Sequence, residues 1–260
     1  MAAEMKSPIR YIQRTQIACW TAVADVRLLL VPRLALQFSL AQRQPMTPSK
    51  NSSKKPTFRL FTIGHSNQEM SDLLGVLLRH EVEMVCDVRS RPGSFRFPQF
   101  NREPLMAQLA TAKIIYQFFG DQFGGRPLDS RYYRPDGLVD YAARRKAPDF
   151  EEAVDRLLGA LQSKNVAVMC AEEDPLHCHR FLLICPAVVQ RGVQPMHLRR
   201  GAGVETHRDA EDRLLQLHGF ADVTSNSLFS QGRASALEDA LRLQSEQYGF
   251  RSSPEAIEYF

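Results

Sequence analysis

The sequence predicts an α/β fold: an open, mainly parallel sheet of about five strands with helices on both faces. Three observations predict it. From residue 58 to about 220, short apolar runs alternate with stretches of helical periodicity, the order that gives parallel strands joined by helices. The run 165–170, Asn-Val-Ala-Val-Met-Cys, is almost wholly apolar, as a strand covered on both faces must be. Of the 260 residues 44% are hydrophobic and 24% charged, which excludes a fully disordered, collagenous or coiled-coil chain.

The elements follow in order. Residues 59–64 read as the first strand. Ser66 with Glu69 forms a capping box ahead of a helical stripe of Met70, Leu73, Leu74, Leu77 and Leu78. Residues 83–88 are the second strand. Asn101 caps a short helix bearing Leu105 and Leu109, and 114–118 is the third strand. The connection from Gly120 to Pro148 is too long for a bland loop and reads as a lid or binding segment. Asp149 and Glu152 give a second capping signal, before a helix carrying Val154, Leu157 and Leu161. The 165–170 strand is placed centrally. Asp174-Pro175 opens the next helix as N-cap and N1, and Pro186 bends it. Residues 193–198 form a fifth strand, Thr206 caps a helix ending near Gly219, and 234–247 is helical within a C-terminal tail, 221–260.

Charge separates a basic N-terminal extension from this domain. Residues 1–57 hold nine Lys and Arg against two acids, so the remainder carries 24 basic and 27 acidic groups, and the net charge of +4 describes no nucleic-acid-gripping body. The extension has the composition of a disordered linker. Its Arg-rich, acid-poor character also fits a mitochondrial transit peptide, and Met46 offers an alternative start that would leave 1–45 untranslated. No apolar stretch approaches the roughly 18 residues of a membrane span. Five cysteines at uneven spacings do not form a secreted disulfide framework; the sequence predicts reduced thiols and a cytoplasmic protein.

In open parallel sheets ligands bind beyond the carboxyl ends of the strands, and the polar residues gather there. The first strand ends in Gly64-His65-Ser66-Asn67, the second in Asp87-Val88-Arg89-Ser90-Arg91-Pro92. The third runs toward Gly124-Gly125-Arg126-Pro127, and the fourth into Cys170-Ala171-Glu172 and Cys178-His179-Arg180. Through these four blocks the chain resembles the domain-of-unknown-function 488 family over roughly residues 58–220. The resemblance implies the α/β fold and marks the same rim. It names no substrate.

Cys178 is the first candidate for chemistry: with Asp174 as N-cap it would sit in the first turn of a helix, where the dipole favours a thiolate nucleophile. A buried small hydrophobe is the plainer reading of the same residue. Glu172, His65 and His179 are the proton-moving candidates. Arg89, Arg126 and Arg180, with Ser66 and Asp87, are the substrate-binding set. Arg89 and Arg180 could instead be consumed in ion pairs with Asp87 or Glu172. No Gly-x-Gly-x-x-Gly, no Gly-Lys-Ser/Thr and no five-residue Cys-to-Arg phosphate loop occurs. His65, Cys170, Cys178 and His179 are metal-ligand types, but no Cys-x-x-Cys pair exists; no metal is assigned and no cofactor is specified. The expected function is an enzyme acting on a small anionic substrate, a nucleotide or phosphate ester. A non-catalytic nucleotide- or nucleic-acid-binding module, using Phe95, Phe97 and Phe100 as stacking surfaces, and a metal-binding protein are the alternatives.

Overall fold

The computed structural model describes residues 58–220 and 230–252, so the reading of the 1–57 extension falls outside the described residues. Six strands form one sheet in the order β3-β2-β4-β1-β5-β6. They are β1 (Leu60–Gly64), β2 (Met84–Asp87), β3 (Ile115–Phe118), β4 (Val166–Cys170), β5 (Met196–Leu198) and β6 (Val204–Thr206). All neighbours pair parallel except β5 and β6. β4 is central, between β1 and β2, and every residue of it is buried, as its unbroken apolar run requires.

Period two along β4 builds the two cores. Val166, Val168 and Cys170 face one side, where they join Phe150 and Leu157 of α5 (Pro148–Ala160), Val188 of α6 (Cys185–Gln190) and Leu214 of α7 (His207–Leu217). Ala167 and Met169 face the other, against Leu73 and Leu77 of α1 (Met70–Arg79) and Leu105 and Leu109 of α2 (Arg102–Thr111). α8 (Ser230–Tyr248) adds Ala236 and Ala240 to the first core. Among the described residues no helix is long and apolar enough to cross a membrane.

Local departures from the sequence reading have physical causes. α1 starts at Met70 with Glu69 at the N-cap, not at Ser66. Ser66 instead takes a left-handed φ of 47° and donates its N–H to the Ala171 carbonyl, joining the loops after β1 and β4. α5 starts after Ala147 with Pro148 at N1; Asp149 does not cap it but pairs with Arg144 at 2.6 Å. The long connection is largely ordered: it contains α3 (Gly120–Phe123), a 3₁₀ turn at Ser130–Tyr132 and α4 (Tyr141–Arg144). β6 is an antiparallel edge strand of three residues, too short for alternation to announce it.

The helix expected from Asp174 is broken. Asp174 accepts the Leu176 N–H at 2.9 Å, but the 3₁₀ turn it caps ends at His177. Cys178 is extended, and the helix resumes as a π-turn, Arg180–Ile184, running into α6. Pro186 explains the irregularity, because it has no N–H to donate to the Leu182 carbonyl one turn back. Arg145 from the end of α4 supplies the missing donor at 2.9 Å.

Candidate functional site

Parallel pairing places the ends of β1, β2 and β4 side by side, and the ladder continues into their loops. The N–H of His65 donates to the Cys170 carbonyl, and the N–H of Val88 to the Met169 carbonyl. A cavity of about 430 Å³ opens over these ends, with Arg89, Arg126, Cys170, Glu172 and His179 on its wall.

Four groups converge there. The Cys170 thiol donates to Glu172 Oε2 at 3.0 Å. His179 Nδ1 lies 3.7 Å from the sulfur of Cys170 and 3.9 Å from that of Cys178. The other imidazole nitrogen, Nε2, is 3.0 Å from the Val88 carbonyl, which assigns the proton there and turns the Nδ1 lone pair to the sulfurs. Gly125 packs against that ring so closely that a Cβ would stand 2.8 Å from it. Burial opposes charge on Cys178, but the neighbouring Cys170 thiol, the Arg180 guanidinium and His179 outweigh it and hold the thiol well below its ordinary value. Burial and the Cys178 charge push Cys170 well above its own, and the same two influences raise Glu172. Cys178 charge overcomes burial to raise His179.

The sequence-derived candidates divide. Arg89, Arg126, Glu172 and His179 reach the cavity wall. Cys178 does not; it lies beneath, and the thiol on the wall is Cys170. Nor does Cys178 owe its environment to a helix begun at Asp174. It precedes the helix, with its carbonyl accepting the N–H groups of Phe181 and Leu182. Arg180 is wholly buried and donates to the carbonyls of Glu172 and, at 2.6 Å, Glu173, so its guanidinium holds the loop after β4 from below. Gly64 is required there, since a Cβ would come within 1.7 Å of the Glu172 carbonyl oxygen.

Asp87 is fully buried and grips Arg89 through Nε at 2.9 Å and Nη2 at 2.6 Å, the ion pair the sequence offered as Arg89's other reading. His65 Nδ1 donates to the Ser66 carbonyl at 2.9 Å, leaving Nε2 to accept from Arg89 Nη1 at 3.2 Å. Its ring stacks on Phe100 at 4.4 Å. Burial, and then the Arg89 charge against it, bring His65 down to about 4, so it is neutral and its nitrogens are engaged. Phe100 is therefore core; in that loop Phe95 is the fully exposed ring.

Sequence reasoning missed part of the wall. Arg91 stands on it two residues beyond Arg89, within a block already marked. His177 stacks on Tyr248 at 4.0 Å and Arg126 lies over Phe250 at 4.6 Å, so the end of α8 and the residues after it close one side. No sequence signal joins residues that distant. A neighbouring cavity of about 630 Å³ shares Arg91, Arg126 and Phe250 and is lined further by Tyr132 and Tyr133.

A second cluster, Cys185, His197 and His207, is buried in the first core. Thr62 Oγ1 lies 2.8 Å from His197 Nδ1, His197 Nε2 lies 3.1 Å from His207 Nδ1, and His207 Nε2 lies 3.4 Å from Glu211, which pairs with Arg233.

The family model for DUF488, a domain of unknown function, matches residues 69–185, and the chain resembles that family over this span. The match takes in β2, β4, Arg89, Arg126 and the four converging groups; Gly64 and His65 lie before it, and β5, β6, α7 and α8 beyond it. No curated protein matches the chain. A solved structure from Shewanella putrefaciens CN-32, described as "Putative phosphatase (DUF442)", is 14% identical and covers 74% of this chain and 87% of its own, with a TM-score of 0.29. A likeness that slight supports neither fold nor function.

Proposed function

We propose that the protein is a cytoplasmic enzyme acting on a small anion, a nucleotide or another phosphate-bearing molecule, held over the strand ends. One observation carries this reading. Arg91 and Arg126 stand exposed on the cavity wall with no carboxylate partner among the described residues, directly above a thiol, a carboxylate and an imidazole. Arg144, Arg199 and Arg213 are paired with carboxylates, while Arg79, Arg96 and Arg102, which likewise have no carboxylate partner among the described residues, stand away from this cavity. Two uncompensated guanidinium groups beside titratable side chains form the receptor half and the reacting half of an enzyme site.

Arg126 and Arg91 hold the anion, with the outer edge of Arg89 behind them. Asp87 and His65 position Arg89 and do not touch the ligand. Glu172 and His179 are the groups placed to move protons, and the sulfurs of Cys170 and Cys178 lie within reach of both. The stacking alternative rests on one exposed ring, Phe95, because Phe100 is buried under His65.

The test is thermal unfolding of the full chain with inorganic phosphate, nucleoside monophosphates and an aryl phosphate. A ligand near a hundred times its dissociation constant should raise the midpoint by roughly 5 °C. Arg126→Ala and Arg91→Ala should remove that rise. A midpoint unmoved by every ligand, or a rise unchanged in both variants, overturns the reading.

A further inference from the structure

We propose that Cys170, Glu172, Cys178 and His179 form a binding site for one zinc-class divalent cation, with its open side on the cavity. The ligand atoms of these four residues lie within 4.8 Å of one another. A tetrahedral zinc ion with ordinary Zn–S, Zn–N and Zn–O bonds spaces its ligands about 3.5–3.8 Å apart. The two sulfur-to-Nδ1 distances, 3.7 and 3.9 Å, fall near such edges, and the Cys170–Glu172 distance of 3.0 Å is shorter by about half an ångström, which the carboxylate would have to open to take up the ion. As hydrogen bonds the sulfur-to-nitrogen contacts are long. An imidazole nitrogen poised between two sulfurs and bonded closely to neither is arranged around a common centre, as ligands are.

The surroundings agree. His179 is fixed in the way metal-ligating histidines are, its second nitrogen donating to the Val88 carbonyl, which turns Nδ1 inward. Two sulfurs, one imidazole and one carboxylate make a soft-to-borderline set that suits zinc and its neighbours and disfavours magnesium or calcium. The Arg180 guanidinium is among the nearby positive charges, which offsets the surplus negative charge of two thiolates and a carboxylate around one dication. Cys170, Cys178 and His179 are anchored by β4 and the start of the following helix, whereas Glu172 stands on the cavity wall in the loop after β4. Three firm ligands and one displaceable carboxylate facing the cavity leave a coordination position that a bound anion or water can take, the pattern of a catalytic rather than a structural site. Only the identity of that incoming anion rests on the reading of the preceding subsection; the metal rests on the four ligand atoms, and while it is bound His179 and Glu172 are ligands, the proton-moving roles given them above belonging to the metal-free protein.

The test uses the full chain purified without chelator, and again after stripping and reloading with zinc or cobalt(II). Elemental analysis should find about one equivalent of metal per chain. The cobalt form should show the intense visible bands of a tetrahedral site and near-ultraviolet thiolate-to-metal absorption. Cys170→Ser and Cys178→Ser should each lose the near-ultraviolet absorption in part and weaken binding at least tenfold, while Cys185→Ser retains the full signal. Circular dichroism of each variant separates loss of ligand from loss of fold, and the wild-type cobalt spectrum stands independently of any variant. Wild-type protein that holds neither metal after reloading overturns the proposal. So does metal retained equally by both variants, or lost only with Cys185→Ser, which would place it in the second cluster. Arg126→Ala should keep its metal. If it does while no phosphate compound binds the wild type, the anion reading fails and the metal stands.

Discussion

The two cysteine–histidine clusters use the same residue types to opposite ends. In the Cys185–His197–His207 cluster, Thr62, both histidines and Glu211 form a chain in which each imidazole nitrogen has a partner. Protons can run through it in one direction, so the buried ring atoms cost little. In the Cys170–Glu172–Cys178–His179 cluster, a single imidazole nitrogen has a close partner and the other groups turn toward one another and toward the cavity. Residue type does not separate the two. Completeness of hydrogen bonding and access from solvent do.

That contrast can be strained at five points. The largest effect is expected for Gly64→Ala, whose methyl group would overlap the Glu172 backbone and displace the loop carrying the open cluster. It should cost about 4 kcal/mol or prevent folding, read from the urea midpoint. In the closed cluster, His197→Ala strands the Thr62 hydroxyl and a His207 nitrogen and leaves a cavity, at about 3 kcal/mol. Cys178→Ser in the open cluster, compared in chelator, should cost only about 1 kcal/mol. Equal losses in urea titrations of the two variants would erase the distinction and make both clusters structural.

Acid sharpens the comparison at His65, beside the open cluster but closed in itself. Its folded pKa of about 4 lies below the ordinary 6.5, so its stabilising contribution is complete above 6.5 and lost as the pH falls toward 4. Between pH 7 and pH 5 that loss is about 2 kcal/mol, and the same interval should cost His65→Gln correspondingly less in matched denaturation curves. The smallest change belongs to the receptor wall. Arg126→Ala should alter stability by no more than about 0.5 kcal/mol in the absence of ligand, since Arg126 has ring contact with Phe250 but no ion pair among the described residues. A loss several times larger in the urea midpoint would mean that the wall is part of the fold's support.

The parts of the fold that repeat were legible. The apolar run 166–170 could only be a doubly covered strand, and Met70 to Leu78 could only be a one-faced helix. What escaped were decisions made by distant partners. Ser66 has the chemistry of an N-cap, but a bond to Ala171 claimed its backbone. The Asp174-Pro175 signal was genuine and bought a single turn, because the chain turns extended at Cys178 before the helix resumes at Arg180. At the site, the sequence reading placed the polar blocks at the strand-end rim, where the structure also has them, but could not rank their arginines. Arg180 and Arg126 look equivalent as letters. One is wholly buried beneath a loop and the other exposed above a cavity, a difference set by backbone carbonyls that carry no mark in the sequence. Tyr248 and Phe250 were invisible for the same reason.

The buried grip of Arg180 on the Glu172 and Glu173 carbonyls bears on kinetics. Breaking it strands a buried guanidinium and two carbonyls in the interior, so the backbone at Glu172 and Glu173 is held in place from below. On the facing side Tyr248 rests on His177 and Phe250 lies under Arg126 through their side-chain rings, while the backbone there is tied down by the Val139 N–H donating to the Phe250 carbonyl. For the ligand proposed here, release would then be timed by the side-chain rings of Tyr248 and Phe250, and orientation by a floor fixed from beneath.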